Sequence, residues 1–191
     1  MENTNSRNEI LTKALSLFAR KGYEGVGIQE ICTNAGITKP TLYYFFKSKQ
    51  GLLESIVESQ GQELFQRLKD ALVYRHDFIK GLTDSLIAEL SFAAQEPEFF
   101  NLHCVLLNSA ENSEEKKVYA PLAEKIFELF TDFFMQSACE FGNMRGKEKL
   151  YALLYHNNIT SLAALHATGK MEFSDETIYR VVHSFVYGVA N

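Results

Sequence analysis

Little in this chain of 191 residues breaks a helix or locks a fold covalently. Only three prolines occur (Pro40, Pro97 and Pro121), and a chain so poor in the residue that ends helices favours long uninterrupted ones. The three cysteines (Cys32, Cys104 and Cys139) are far apart and odd in number. They suggest neither a disulfide framework nor a zinc cluster, so a reducing cytoplasm is the simple expectation. No apolar run reaches the roughly 18 residues that a membrane span needs. The start, MENTNSRNEI, is polar and carries no signal segment. Also missing are a Gly-rich phosphate loop, an H-E-x-x-H pair and a Ser/His/Asp-type signature, which argues against an enzyme. No metal and no cofactor are expected.

What the chain has in quantity is apolar surface and helical periodicity. It is 46% hydrophobic and 23% charged, enough for a packed core in one domain or two small ones. The net charge of −5 at first argues against a polyanionic partner, but its distribution points the other way. Residues 1–50 hold seven basic and four acidic residues, a balance of +3, whereas the remainder holds 12 basic and 20 acidic, a balance of −8. One small end of the molecule is thus suited to phosphate.

Ile10, Leu11, Ala14, Leu15, Leu17 and Phe18 recur at helical spacing and predict a helix over about 6–21, stopped at Gly22. Ile28, Ile31, Cys32 and Ala35 predict a short second helix that Gly36 breaks. Thr38 can cap a short third helix whose buried positions are Leu42 and Phe46. Ser48 can cap a fourth, over about 48–74, with an apolar stripe from Leu53 through Leu72. Further helices are read at about 77–94, 97–109, 113–141, 147–168 and 175–190, the third of these with an Asn112/Glu115 capping box. No strand-like alternation appears. The fold class is therefore all-α with about nine helices: an N-terminal three-helix unit over 1–50, linked by the fourth helix to a helical domain over 51–191.

Two short helices across a tight glycine turn are what a helix-turn-helix requires, the first holding the second at an angle that enters the major groove. The segment from Gly22 to Lys49 resembles the DNA-binding signature of the TetR family along nearly all its length. The matching pieces are the F-A-x-K-G-Y stretch from Phe18 to Tyr23, I-x-E-I, A-G-I-T, the T-L-Y-Y recognition helix and F-K-S-K. Thr38, Lys39, Thr41 and Tyr44 offer hydroxyl, ammonium and aromatic groups to base edges, and the Pro40 ring can touch a thymine methyl. The family pattern implies that Tyr43, Lys49 and Gln29 grip phosphate and set register. Three positions depart from that pattern. Gly27 lacks a capping hydroxyl, Phe45 replaces a common histidine, and Gly51 replaces an acidic capping-box residue. The first two imply fewer phosphate contacts and a shallower salt dependence.

The resemblance also implies a C-terminal pocket for a small molecule, a homodimer, and release of double-stranded operator DNA when that effector binds. The aromatic-rich second half suits a largely apolar effector. Expected pocket residues are Phe100, His103, Phe127, Phe130, Tyr155, His156 and Asn158. The last three lie in the stretch Tyr155-His156-Asn157-Asn158, which interrupts an apolar helix and fits a pocket or a dimer interface equally well. The resemblance places the two-fold interface on the last two helices, with Leu162, Leu165, His166, Val182, Phe185, Val186 and Val189 as its apolar faces. Two readings compete with ligand release: a redox sensor using Cys104 or Cys139, and a DNA-binding dimer without an inducer.

Overall fold

The computed structural model describes residues 2–190, with side chains described for 6–142 and 144–188. All regular structure in this range is helical. In chain order the elements are α1 (Glu2–Lys21), α2 (Ile28–Ala35), α3 (Lys39–Phe46), α4 (Lys49–Ile56), a π turn (Val57–Gly61), α5 (Gln62–Ala71), α6 (Phe78–Gln95), α7 (Pro97–Leu107), α8 (Glu114–Ser137), a 3-10 turn (Gly142–Met144), α9 (Glu148–Ala167) and α10 (Asp175–Ala190). Because α4 and α5 form one rod through the π turn, the described residues make nine rods. No helix among them is long and apolar enough to cross a membrane.

Local chemistry sets most of the ends. Gly22 and Gly36 take left-handed conformations (φ 73° and 64°) where α1 and α2 stop, and the Gly36 N–H returns to the Cys32 and Thr33 carbonyls. Ser48 caps α4, its hydroxyl accepting the Gly51 N–H at 2.9 Å. Two caps differ from expectation. The Thr38 hydroxyl caps no backbone group and instead pairs with the Thr41 hydroxyl at 3.0 Å. At α8 the cap is Ser113, which accepts the Lys116 N–H at 3.2 Å, in place of the Asn112/Glu115 box. Ser48→Ala is expected to lower stability by about 1 kcal/mol, the usual worth of a lost serine cap, measured by urea unfolding. An unchanged midpoint would show that the cap is dispensable.

The chain divides into two compact units. One comprises the chain up to Gln62 together with Glu98–Leu122; the other comprises Glu63–Pro97 and the chain from Ala123 onward. In the first unit, α1, with Ile10, Ala14, Leu17 and Phe18 buried, packs on α2 (Ile31, Cys32 buried) and α4 (Leu52, Leu53, Ile56 buried), and α3 packs on α2 and α4 through the side that buries Leu42 and Phe46. Helix α7 is fastened to α1 by polar bonds: the Ser16 hydroxyl donates to Glu98 at 2.7 Å, and the Asn101 amide donates to the Ala19 carbonyl at 2.8 Å. In the second unit α6 packs on α9 and α10. Phe78, Phe133, Phe134 and Tyr155 form its aromatic centre. Gly81 of α6 lies against the Phe133 ring, which occupies the space a Cβ would need.

Two of the helices that run from one unit into the other carry a defect in their hydrogen-bond ladder at the crossing. The rod α4–α5 crosses at Gln62/Glu63, immediately after the π turn, and α8 crosses at Leu122/Ala123, immediately after Pro121. Proline inside a helix removes one backbone donor and crowds the preceding turn. A π turn inserts an extra residue into the ladder.

Candidate nucleic-acid interface

Helix α3 has only two turns, and its sequence divides them sharply. Leu42 and Phe46, four residues apart, are 0% and 3% exposed and anchor it to the unit. The opposite face is open: Tyr43 is 46% exposed and Tyr44 73%, and Thr38, Lys39 and Pro40 are exposed beside them, with Thr41 half-buried. Pro40 falls in the first turn of α3, where a helix makes no use of the missing N–H. The Tyr44 ring meets only the edge of Phe45 among the rings described, at 5.1 Å. A large aromatic group so exposed gains nothing from the protomer's own core and fits a contact with a partner.

The grip around this helix is built from residues distant in sequence. Arg7 lies with its guanidinium 5.1 Å from the Phe46 ring and donates to the Ser55 hydroxyl at 3.2 Å, tying α1 to α3 and α4. Lys21 pairs with Glu30 at 2.5 Å and joins the end of α1 to α2. Gln29 is exposed in the first turn of α2. Lys49, the first residue of α4, holds its ammonium 3.9 Å from the centre of the Tyr23 ring. The ring face favours the cation and limits where it can go. Tyr23 in turn donates its hydroxyl to Glu114 in the first turn of α8. Burial first, and then the Glu114 carboxylate, push the Tyr23 phenol well above its usual range, so it stays a donor at any working pH.

Arg7, Tyr23 and Glu114 were not among the residues singled out from the sequence. The Tyr23 and Glu114 signal is non-local, because 91 residues separate the pair. Tyr23→Phe leaves the ring beneath Lys49 and removes the bond to Glu114. It is expected to weaken DNA binding about tenfold or less, by loosening Lys49, with little loss of helicity. Fluorescence anisotropy against a selected operator checks this, and an unchanged affinity would show that Glu114 does not position the lysine.

The expected pocket residues fall in both units. Phe100 and His103 lie buried on α7 in the first unit, where the His103 imidazole bonds the Tyr119 hydroxyl. Phe130, Tyr155 and His156 lie buried in the second unit, with the Phe130 ring stacked on His156 at 4.7 Å. Phe127 is half-buried and Asn158 exposed. Successive helical residues point about 100° apart, so His156 faces inward while Asn157 and Asn158 face out. Asn158 borders a groove of about 410 Å³ with Ser161, Leu162, Ser184 and Phe185, between α9 and α10.

The interface residues also divide. Val182 is 1% exposed and belongs to the protomer's own core, so it is withdrawn from the expected interface. Phe185 is half-buried against Phe134 and Tyr155, at 6.2 and 4.8 Å between ring centres. Leu165 is exposed; Leu162, His166 and Val186 are half-buried. The side chain of Val189 lies outside the described residues. Leu153 and Leu154 of α9 and Tyr179 and Tyr187 of α10 are large apolar groups turned outward that the sequence reading missed. Their signal was there: α9 is apolar on both faces, one more than its own core requires. Of the cysteines, Cys32 is buried, Cys104 half-buried and Cys139 exposed.

Residues 10–56 match the model of the bacterial regulatory proteins of the tetR family. Over 52 residues the chain is 36% identical to the biofilm operon icaADBC HTH-type negative transcriptional regulator IcaR of Staphylococcus aureus, covering 27% of this chain and 28% of that one. It is 28% identical over 96 residues to the HTH-type transcriptional activator FasR of Mycolicibacterium smegmatis, covering 50% and 44%. These matches span less than half the length of either relative. The fold is shared more widely. The transcriptional regulator FadR of Bacillus subtilis, solved with stearoyl-CoA, superposes with a TM-score of 0.70 at 15% identity, over 96% of this chain and 97% of that one. A two-turn helix held by Leu42 and Phe46 with its tyrosines outward and the motif match agree over this segment: residues 10–56 carry a helix-turn-helix of the tetR-family type.

Proposed function

We propose that this protein is a sequence-specific DNA-binding repressor that binds double-stranded operator DNA as a homodimer and leaves it when a small, largely apolar effector binds. The outward face of α3 carries this reading, because Tyr43 and Tyr44 stand exposed on a helix anchored by Leu42 and Phe46. Thr38, Lys39, Pro40, Thr41 and Tyr44 would meet base edges, while Gln29, Tyr43 and Lys49 would meet phosphates. Residues 1–50 form the DNA-binding part in this reading, and 51–191 the effector and dimerisation part. One α3 reads only a few base pairs, so two copies about one helical turn apart supply the rest of the specificity. The outward apolar groups of α9 and α10, Leu165 and Tyr187 among them, favour these helices as the two-fold interface.

Release is a population shift. The effector favours a dimer whose two α3 helices no longer match successive grooves, by as much as its differential affinity for the two states. The π turn at Val57–Gly61 and Pro121 are where two of the crossing helices bend most cheaply, which supports α4–α5 and α8 as the levers. Selection from random duplexes tests the reading. An enriched two-fold site with half-sites about one turn apart is expected. Failure to enrich any sequence, or a stable monomer at working concentration, overturns it.

A further inference from the structure

The middle of α6 carries a carboxylate where the core would otherwise take an apolar group. Glu89 is 0% exposed, inside the second unit. Its Oε1 accepts from the Thr160 hydroxyl at 3.2 Å and lies 3.4 Å from His156 Nε2, both on α9. That second distance is too long for a strong hydrogen bond. Glu89 Oε2 has no hydrogen-bond partner among the described residues, and neither has His156 Nε2. The nearby donors are committed elsewhere: the Tyr155 and Ser85 hydroxyls both donate to the Leu82 carbonyl, at 2.6 and 2.8 Å.

A structural cross-link between α6 and α9 would use both carboxylate oxygens. A buried carboxylate oxygen left without a donor is costly, and a ligand group that donates to it would offset that cost. The surroundings narrow the choice of that group. The Phe130 ring is stacked on His156 at 4.7 Å and tilted toward Tyr155, whose ring meets Phe185. Aromatic faces together with a carboxylate favour a cation on an apolar body.

We propose that Glu89 and His156 recognise the polar end of the effector, and that this end is a cationic nitrogen donor (a protonated amine or a guanidinium) carried on an apolar body. The inference rests on the effector-responsive reading above. An ammonium donates to Oε2 of Glu89 beside the His156 imidazole, while its apolar part lies among the rings. A carboxylate effector would place a like charge beside a buried carboxylate and is disfavoured.

The test uses the full chain and three probes matched in shape: 4-phenylbutylamine, 4-phenylbutyrate and 4-phenylbutanol, titrated calorimetrically. The amine is expected to bind the wild-type protein at least tenfold more tightly than the acid. Glu89→Gln, an isosteric change, should erase that preference, whereas Thr160→Val, which keeps the carboxylate, should retain it. Acid binding as tight as amine binding, amine binding undiminished in Glu89→Gln, or no amine binding into the millimolar range overturns the assignment. If Glu89→Gln does not fold, the order of amine and acid on the wild-type and Thr160→Val proteins decides. Operator affinity is measured alongside. Release by the acid alone would overturn the assignment and keep the effector reading. Glu89-dependent amine binding without release would do the reverse.

Discussion

Tyr44→Ala and Thr41→Ala are expected to flatten base preference at particular operator positions, each costing about 1–3 kcal/mol against the preferred base. Tyr43→Ala and Lys49→Ala should instead weaken binding to every sequence alike. The last two are separable from each other. Lys49 carries charge, so its loss should reduce the slope of log affinity against log salt by about one unit, whereas loss of the neutral Tyr43 hydroxyl should leave the slope unchanged. The geometry makes these assignments specific. Tyr44 is the most exposed large apolar side chain among the described residues of the first unit, at 73%, and its ring meets only the edge of Phe45 among the rings described. Lys49 is held over the Tyr23 ring, 3.9 Å from its centre, so little conformational freedom remains to be lost when it meets a phosphate. Anisotropy titrations at several salt concentrations, on selected and scrambled duplexes, read all four. Wild-type binding by all four variants would refute the interface.

Gly51→Ala is expected to lower stability by about 1–3 kcal/mol and to cost specific operator binding more than non-specific binding. The link between α3 and α4 has only two residues. Lys47 lies in the left-handed region at φ 63°, and Ser48 returns its N–H to the Phe46 carbonyl at 2.7 Å. That carbonyl stands where a Cβ on residue 51 would go. Gly61 and Gly81 also face crowded positions, but there the obstacles are the Leu122 and Phe133 side chains, which can rotate. At Gly51 the obstacle is backbone, so relief requires moving the end of α3 and with it the tyrosines. Urea unfolding followed by circular dichroism, together with operator titration, checks both effects. Unchanged stability would mean that the α3–α4 turn tolerates a side chain.

The glycine also shows how far a sequence can be read. By pattern, Gly51 is the place where a capping acid has been lost; in the folded chain it is a place where no side chain fits beside the Phe46 carbonyl. The helix-turn-helix itself was legible almost in full. Gly22, Gly36 and Ser48 act on their own few residues of backbone, and the spacing of Leu42 and Phe46 alone determines which side of a two-turn helix is buried. The π turn was not legible. Leu53, Ile56, Val57, Leu64 and Leu68 read as an unbroken helical stripe, and the extra residue at Val57–Gly61 lies where Leu122 and Phe99, from α8 and α7, pack against Gly61.

The second half divides the same way. Its helices and most of their limits follow from apolar periodicity and the scarcity of proline, which are properties of neighbouring residues. Which face of α9 turns inward is not such a property, because both its faces are apolar. Val182 went to the protomer's own core, and Asn158 turned away from His156. No local pattern marks Glu89; the packing of α6 on α9 places its carboxylate beside Thr160 and His156. Local pattern thus determined the helices, the outward face of α3 and the family likeness of residues 10–56. The packing of helices far apart in sequence decided which polar groups were buried together, because burial depends on what lies opposite, and the chain's own neighbours do not supply that.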